Sequence, residues 1–142
     1  MSRWGWRALL PGGLVGVLAA VAGCALIGLG RDERFVEPDQ PKTSPSGEFI
    51  AHVADGPDDN GVATRVVVIT DVDGRKVFRD DYAYSTRHGV GVTWLSSTDQ
   101  LWILSADVGN AYVERRPDGT WSKTPITPEN RNTIPPEIVE LV

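Results

Sequence analysis

The sequence predicts an all-β fold, an antiparallel meander or small sandwich of about seven strands, preceded by one N-terminal membrane helix or signal peptide. Three observations predict it. Short runs rich in β-branched and aromatic residues recur from Glu48 onward. Turn signals such as Asp73-Gly74 and Pro117-Asp118-Gly119 separate them. Residues 8–30, ALLPGGLVGVLAAVAGCALIGLG, contain no charged side chain.

That uncharged run is long enough for a spanning helix, which needs about 20 mostly apolar residues. Arg3 and Arg7 flank its start, with Trp4 and Trp6 among them, and Arg31-Asp32-Glu33-Arg34 follows it with balanced charge. The positive-inside bias then keeps the N-terminus in the cytoplasm and sends the remainder out. A second reading rests on Val21-Ala22-Gly23-Cys24, which resembles the lipobox of bacterial lipoproteins. The resemblance implies a signal peptide cut before Cys24 and acyl chains on that cysteine, the single one in the chain. Both readings predict a cell-membrane protein, single-pass or lipid-anchored, with its C-terminal domain extracytoplasmic. They divide the chain into an anchor or signal (1–30), a Pro-rich extended linker (31–47), a β domain (48–127) and a C-terminal tail (128–142).

The linker holds Pro38, Pro41 and Pro45 among many charges, a composition that reads as a semi-stiff spacer, with Phe35 and Val36 its candidates for local docking. Phe49 to Val53 is the first apolar run. Arg65 to Val72 is apolar on both faces until Asp71, the mark of a central strand. Asp73-Gly74 predicts a two-residue hairpin into a return strand, Lys76 to Tyr84. Phe78, Tyr82 and Tyr84 share one face of that strand with Asp80, which is expected at the face's solvated part. Gly89 to Leu95 puts Val90, Val92 and Trp94 on one side, Gln100 to Ser105 reads as interior, and Tyr112-Val113 precedes the Pro117-Asp118-Gly119 turn. Trp121 to Ile126 returns. Glu137 to Val142 reads as one helical turn with Pro135-Pro136 at its start.

Ser44-Pro45-Ser46-Gly47-Glu48-Phe49-Ile50-Ala51 resembles the S-P-D-G turn and strand of TolB-like β-propeller blades. Trp94-Leu95-Ser96-Ser97-Thr98-Asp99-Gln100-Leu101-Trp102-Ile103 resembles the same element about fifty residues later, and Val66 to Gly74 fits a blade's middle hairpin. The resemblance covers about two blades, whereas propellers close with about 4–8. It implies blade-like hairpins in an isolated sheet or sandwich, or a fragment completed by oligomerising, with the first favoured. It also implies a binding scaffold rather than an enzyme.

Composition narrows the chemistry. The chain has net charge −5. Removing Arg3 and Arg7 from its 14 basic residues leaves 12 against 19 acidic ones, so residues 31–142 carry −7. Such a domain has no basic footprint for nucleic acid. No cofactor motif is present. His52 and His88 are the only histidines, and His88, in a polar loop, is the better binding candidate. Trp94, Trp102 and Trp121 are binding candidates if exposed and core residues if buried. Asp55, Asp58 and Asp59 gather oxygens that are weak candidates for a cation, at spacings that fit no EF-hand loop. Asp80 and Asp81 are neighbours in a strand, so they face opposite ways and cannot act as one acid–base pair. The expectation is a membrane-anchored, non-catalytic recognition or assembly module of the bacterial envelope, contacting another envelope protein or a glycan. The alternatives are a structural lipoprotein or accessory subunit and, remotely, an envelope hydrolase built on His88 and the Asp55–Asp59 loop.

Overall fold

The computed structural model describes residues 33–142. The stretch 8–30, with Cys24, lies outside them. Among the described residues no helix is long and apolar enough to cross a membrane.

The described residues are mostly β. Nine strands form two antiparallel sheets in sequence order: β1 (Lys42–Thr43), β2 (Phe49–Asp55), β3 (Thr64–Asp71), β4 (Lys76–Arg79) and β5 (Tyr84–Ser85), then β6 (Gly91–Trp94), β7 (Leu101–Leu104), β8 (Ala111–Arg115) and β9 (Trp121–Pro125). The first sheet runs β1-β2-β3-β4, with β5 also pairing β3; the second runs β6-β7-β8-β9. A 3-10 turn (Arg131–Thr133) and one short helix, α1 (Pro136–Val139), complete the elements.

Hairpin chemistry sets this order. Asp71 N–H bonds the Arg75 carbonyl and Gly74, at φ +82°, closes the turn. The loop therefore has three residues rather than the expected two, ending on the positive φ that glycine tolerates. Asp71 Oδ1 also accepts from Asp73 N–H and Arg75 N–H. Asn60 and Gly61 both adopt positive φ, and Asp59 and Val62 exchange both backbone hydrogen bonds across them.

Side-chain alternation brings the sheets face to face. Phe49, Ala51, Val53, Val67 and Ile69 from the first pack with Val92, Trp94, Leu101, Ile103 and Val113 from the second in one buried core. Trp121 joins at the rim, with its ring edge-on to Phe49 at 4.8 Å and near Trp94 at 6.5 Å. The outer face of the second sheet carries a smaller cluster. There Trp102, Leu95 and Tyr112 are covered by Ile134, Ile138 and Leu141 of the C-terminal segment, and Ile138 is 1% exposed. Glu137 fastens this segment by accepting from Ser96 N–H and Oγ–H.

The sheets share the geometry of their first and last hairpin turns, although β5 has no counterpart in the second sheet and the β2–β3 register differs by two residues from that of β7–β8. In the first, Ser44 N–H bonds the Phe49 carbonyl; in the second, Leu95 N–H bonds that of Gln100. The pairs Thr43↔Ile50 and Trp94↔Leu101 keep the same offset of 51 positions. The later turns match as well, since Arg116 N–H to Thr120 O and Gly119 N–H to Arg116 O repeat the frame at Asp71–Arg75. Both offsets are odd. Phe49, Ala51 and Val53, inward in the first sheet, therefore correspond to Gln100, Trp102 and Leu104, outward in the second. The repeats are stacked head to tail, each turning the opposite face to the interface.

Three sequence expectations are corrected. The described part of the linker belongs to the fold: Val36 is 4% exposed and donates to the Val92 carbonyl, Phe35 lies over Gly91, and Lys42–Thr43 is β1. Two apolar side chains beside an edge strand were enough to dock a proline-rich segment. The return strand Lys76–Tyr84 is broken into β4 and β5, with a register shift between Ile69 and Thr70. Asp80, expected at the solvent, is 3% exposed, because this irregular stretch turns it between the sheets.

Packing at the loop after β2 yields a test. A Cβ on Gly56 would lie 2.5 Å from Thr64 Oγ1 and 2.9 Å from Val66 Cγ2. Gly56→Ala is expected to lower stability by about 1–3 kcal/mol in urea unfolding, the usual cost of overpacking.

Candidate functional site

The densest polar arrangement lies between the sheets. Asp80 follows β4 and its side chain is fully buried; Lys123 stands on β9 of the opposite sheet. Lys123 Nζ donates to Asp80 Oδ1 and Oδ2, both at 2.9 Å, and to Tyr84 Oη at 2.9 Å. Tyr84 Oη–H donates to Asp80 Oδ2 at 2.9 Å, and Tyr82 N–H to Oδ1 at 3.1 Å. The ammonium also faces the rings of Tyr84 and Tyr82, at 5.4 and 6.0 Å from their centroids. A buried carboxylate is tolerable only when paired and hydrogen-bonded, and Asp80 has both kinds of partner. Burial, then the charge of Asp80 and the hydrogen bond to it, holds the Tyr84 phenol well above its ordinary range.

This cluster has the residue types of an acid–base site but not its openness. Its members satisfy one another across the sandwich, so its work is to join the two sheets. The sequence marked Tyr82, Tyr84 and Asp80 as one face; nothing local pointed to Lys123, 43 residues further on.

The residues singled out from the sequence are dispersed. Trp94 is 8% exposed and donates Nε1–H to the Lys42 carbonyl, while Trp102 is 1% exposed and donates to Gln100 Oε1. Trp121 is half-buried on the core's edge. Of the large aromatic side chains in the β domain, Tyr82 is the exposed one, at 40%. His88 is exposed in the β5–β6 loop, beside an open groove of about 520 Å³ lined also by Phe35, Val90, Leu104, Asn110 and Leu141. Among the described residues no acidic side chain lines that groove. His52 sits on the outer face of the first sheet, with Nε2 3.0 Å from Thr70 Oγ1. Asp55 pairs with Arg65, Asp59 is held by the Asn60-Gly61 turn, and Asp58 is exposed. Among the described residues no three His, Cys, Asp or Glu side chains come together as a metal site.

A second polar contact ties the repeats at their first turns. Asp99, in the β6–β7 turn, accepts from Ser46 N–H at 3.0 Å and from Ser46 Oγ–H. The Ser-Pro-Ser-Gly turn and its counterpart around Ser96–Asp99 are thus in direct contact, which sequence inspection did not foresee.

The chain matches no protein-family model, no curated protein and no solved structure.

Three outcomes are expected at the buried cluster. Asp80→Asn should cost about 2–3 kcal/mol in urea unfolding, below the full value for a broken buried pair because Lys123 is 25% exposed and reaches water. The double variant Asp80→Leu/Lys123→Met should be less destabilised than the sum of its singles. Tyr84 has a raised pKa in the folded state, so its contribution is complete below about pH 10 and falls away as pH rises beyond that value. Tyr84→Phe should flatten the alkaline decline in a pH series of denaturation midpoints.

Proposed function

We propose that the protein is a membrane-anchored, extracytoplasmic assembly module of a bacterial envelope, non-catalytic, with its sheet surfaces as the working surfaces. One observation carries the reading: the strongest ionisable grouping, Asp80–Lys123–Tyr84, is closed on itself between the sheets, so its polar atoms are committed to structure. Residues 8–30 and the flanking Arg3 and Arg7 support the anchor and its orientation. Two consecutive antiparallel meanders, of five and four strands, suit the blade-like resemblance at Ser44–Ala51 and Trp94–Ile103, and such blades serve as scaffolds. On this reading the partner is another envelope protein or a glycan.

A second reading, an accessory structural subunit, gains from the burial of Trp94 and Trp102, which removes the large indoles from any contact surface. For the hydrolase alternative, no acidic side chain among the described residues lines the groove beside His88.

Placement is tested with a thiol at Val108, 47% exposed in the β7–β8 loop. Val108→Cys in a Cys24→Ser chain should react with a membrane-impermeant maleimide in intact spheroplasts. Labelling only after lysis would refute the placement. In the parent chain, palmitate incorporation lost on Cys24→Ala would identify a lipid anchor, and its absence a spanning helix.

A further inference from the structure

A backbone nitrogen can attack the side-chain carbonyl carbon of a preceding Asn or Asp when its own N–H is uncommitted. Glycine, with no Cβ, is the least hindered residue to supply it. Four sites in the sequence place such a side chain before a glycine: Asp55-Gly56, Asn60-Gly61, Asp73-Gly74 and Asp118-Gly119. Three are held. Gly56 N–H bonds the Thr64 carbonyl at 3.0 Å, Gly74 N–H that of Asp71 at 3.1 Å, and Gly119 N–H that of Arg116 at 2.9 Å. Asp55 also pairs with Arg65, and Asp118 Oδ1 accepts from Thr120 N–H and Oγ1–H. Gly61 differs. Among the described residues its N–H has no acceptor, because the turn's two hydrogen bonds run between Asp59 and Val62. Asn60 and Gly61 are both exposed, and a Cβ on Gly61 would meet nothing within 4 Å. The Asn60 carboxamide makes one hydrogen bond, a 3.3 Å donation from Nδ2 to the exposed Asp59 Oδ1. The other asparagines are committed: Asn110 Oδ1 accepts from Ser105 N–H, Asn130 Oδ1 from Thr127 N–H, and Asn132 precedes Thr133, whose N–H bonds the Asn130 carbonyl.

We propose that Asn60 is a self-modification site: in the folded chain it loses its amide through attack by Gly61 N, and the isoaspartate that results loosens the β2–β3 hairpin. Gly61 N gives its proton to solvent base and attacks Asn60 Cγ. The N–Cγ bond forms, the Cγ–Nδ2 bond breaks, and Nδ2 leaves as ammonia with a proton from water, closing a succinimide ring. Water then opens the ring at one of its two carbonyl carbons. Opening at Cγ gives an ordinary aspartate. Opening at the backbone carbonyl carbon routes the chain through Cβ and Cγ, an isoaspartate. Water is the sole co-reactant. Either product adds a carboxylate beside Asp58 and Asp59. Asn60 lies at φ +50° and Gly61 at φ +81°, the two positive angles of a two-residue hairpin turn. An ordinary aspartate accepts such an angle as asparagine does. The isoaspartate inserts an extra backbone atom between Asp59 and Val62, whose paired 2.9 Å hydrogen bonds need the short turn. The inference is independent of the proposed function and of where the protein resides in the cell.

Peptide mapping of the folded, full-length chain in detergent tests it, over a time course in mildly acidic and mildly alkaline buffer. The peptide holding Asn60 should be the first to show the mass gain of an amide-to-acid exchange. It should convert faster in the alkaline buffer and separate into two chromatographic isomers. Asn60→Gln, which would have to close a larger ring, should keep its amide over the same period. Backbone amide exchange at Asp59 and Val62 should rise in the isoaspartate fraction and stay at the parent level in freshly made Asn60→Asp. An Asn60 amide that survives in the folded chain and is lost only in urea would overturn the proposal, as would another asparagine reacting first. Unchanged exchange in the isoaspartate fraction would overturn the loosening of the hairpin.

Discussion

Asp80 is a carboxylate held dry between two sheets, and Lys123 from the opposite sheet makes that burial tolerable. The rest of the arrangement is set around this pair. The broken strand after β4 turns Asp80 inward, Tyr84 on β5 fills the space beside it, and β9 presents Lys123 from across the sandwich. The apolar residues of the core would pack at many small displacements. A carboxylate accepting four hydrogen bonds from three donor groups has far fewer acceptable positions, so the pair fixes how the sheets sit on one another.

A meander with one apolar face must cover it, and a stack of meanders passes the problem to its ends. Here the first sheet covers the second's inward face, and the tail covers the outward one. Edge strands are handled differently. β1 has two residues, β4 carries an irregular register, and β9 ends at Pro125, which has no N–H to offer a neighbour.

Much of the β content was legible, because Val66–Ile69 and Leu101–Ile103 are apolar on both sides and the Asp-Gly turns bracket them. Period two also placed Asp80 on the same face as Tyr84. Its environment was not legible, since a single carboxylate reads as solvated until its distant ammonium is known. Phe35 and Val36 stood out as local docking residues, but the prolines and charges around them say spacer, so composition did not show that the segment joins the fold. The repeat was visible as a motif but not in its register. Matching Ser44 to Ser96 would pair Phe49 with Leu101, both inward, and the stack would look two-fold. The hydrogen bonds pair Phe49 with Gln100, and that one-residue difference reverses every face. The site candidates dispersed for a related reason: whether an indole or an imidazole is free to bind depends on what packs against it, which no local spacing records.

The hairpin topology has a kinetic consequence. Every strand pair joins near neighbours in sequence, so each sheet can zip from its own turns at low loop-closure cost. The ties between halves, such as Trp94 to Lys42, span about half of the described chain. During synthesis the first sheet is complete while its greasy side still waits for residues 91–125. That interval, rather than any step within a sheet, is when the nascent chain is most exposed to sticking.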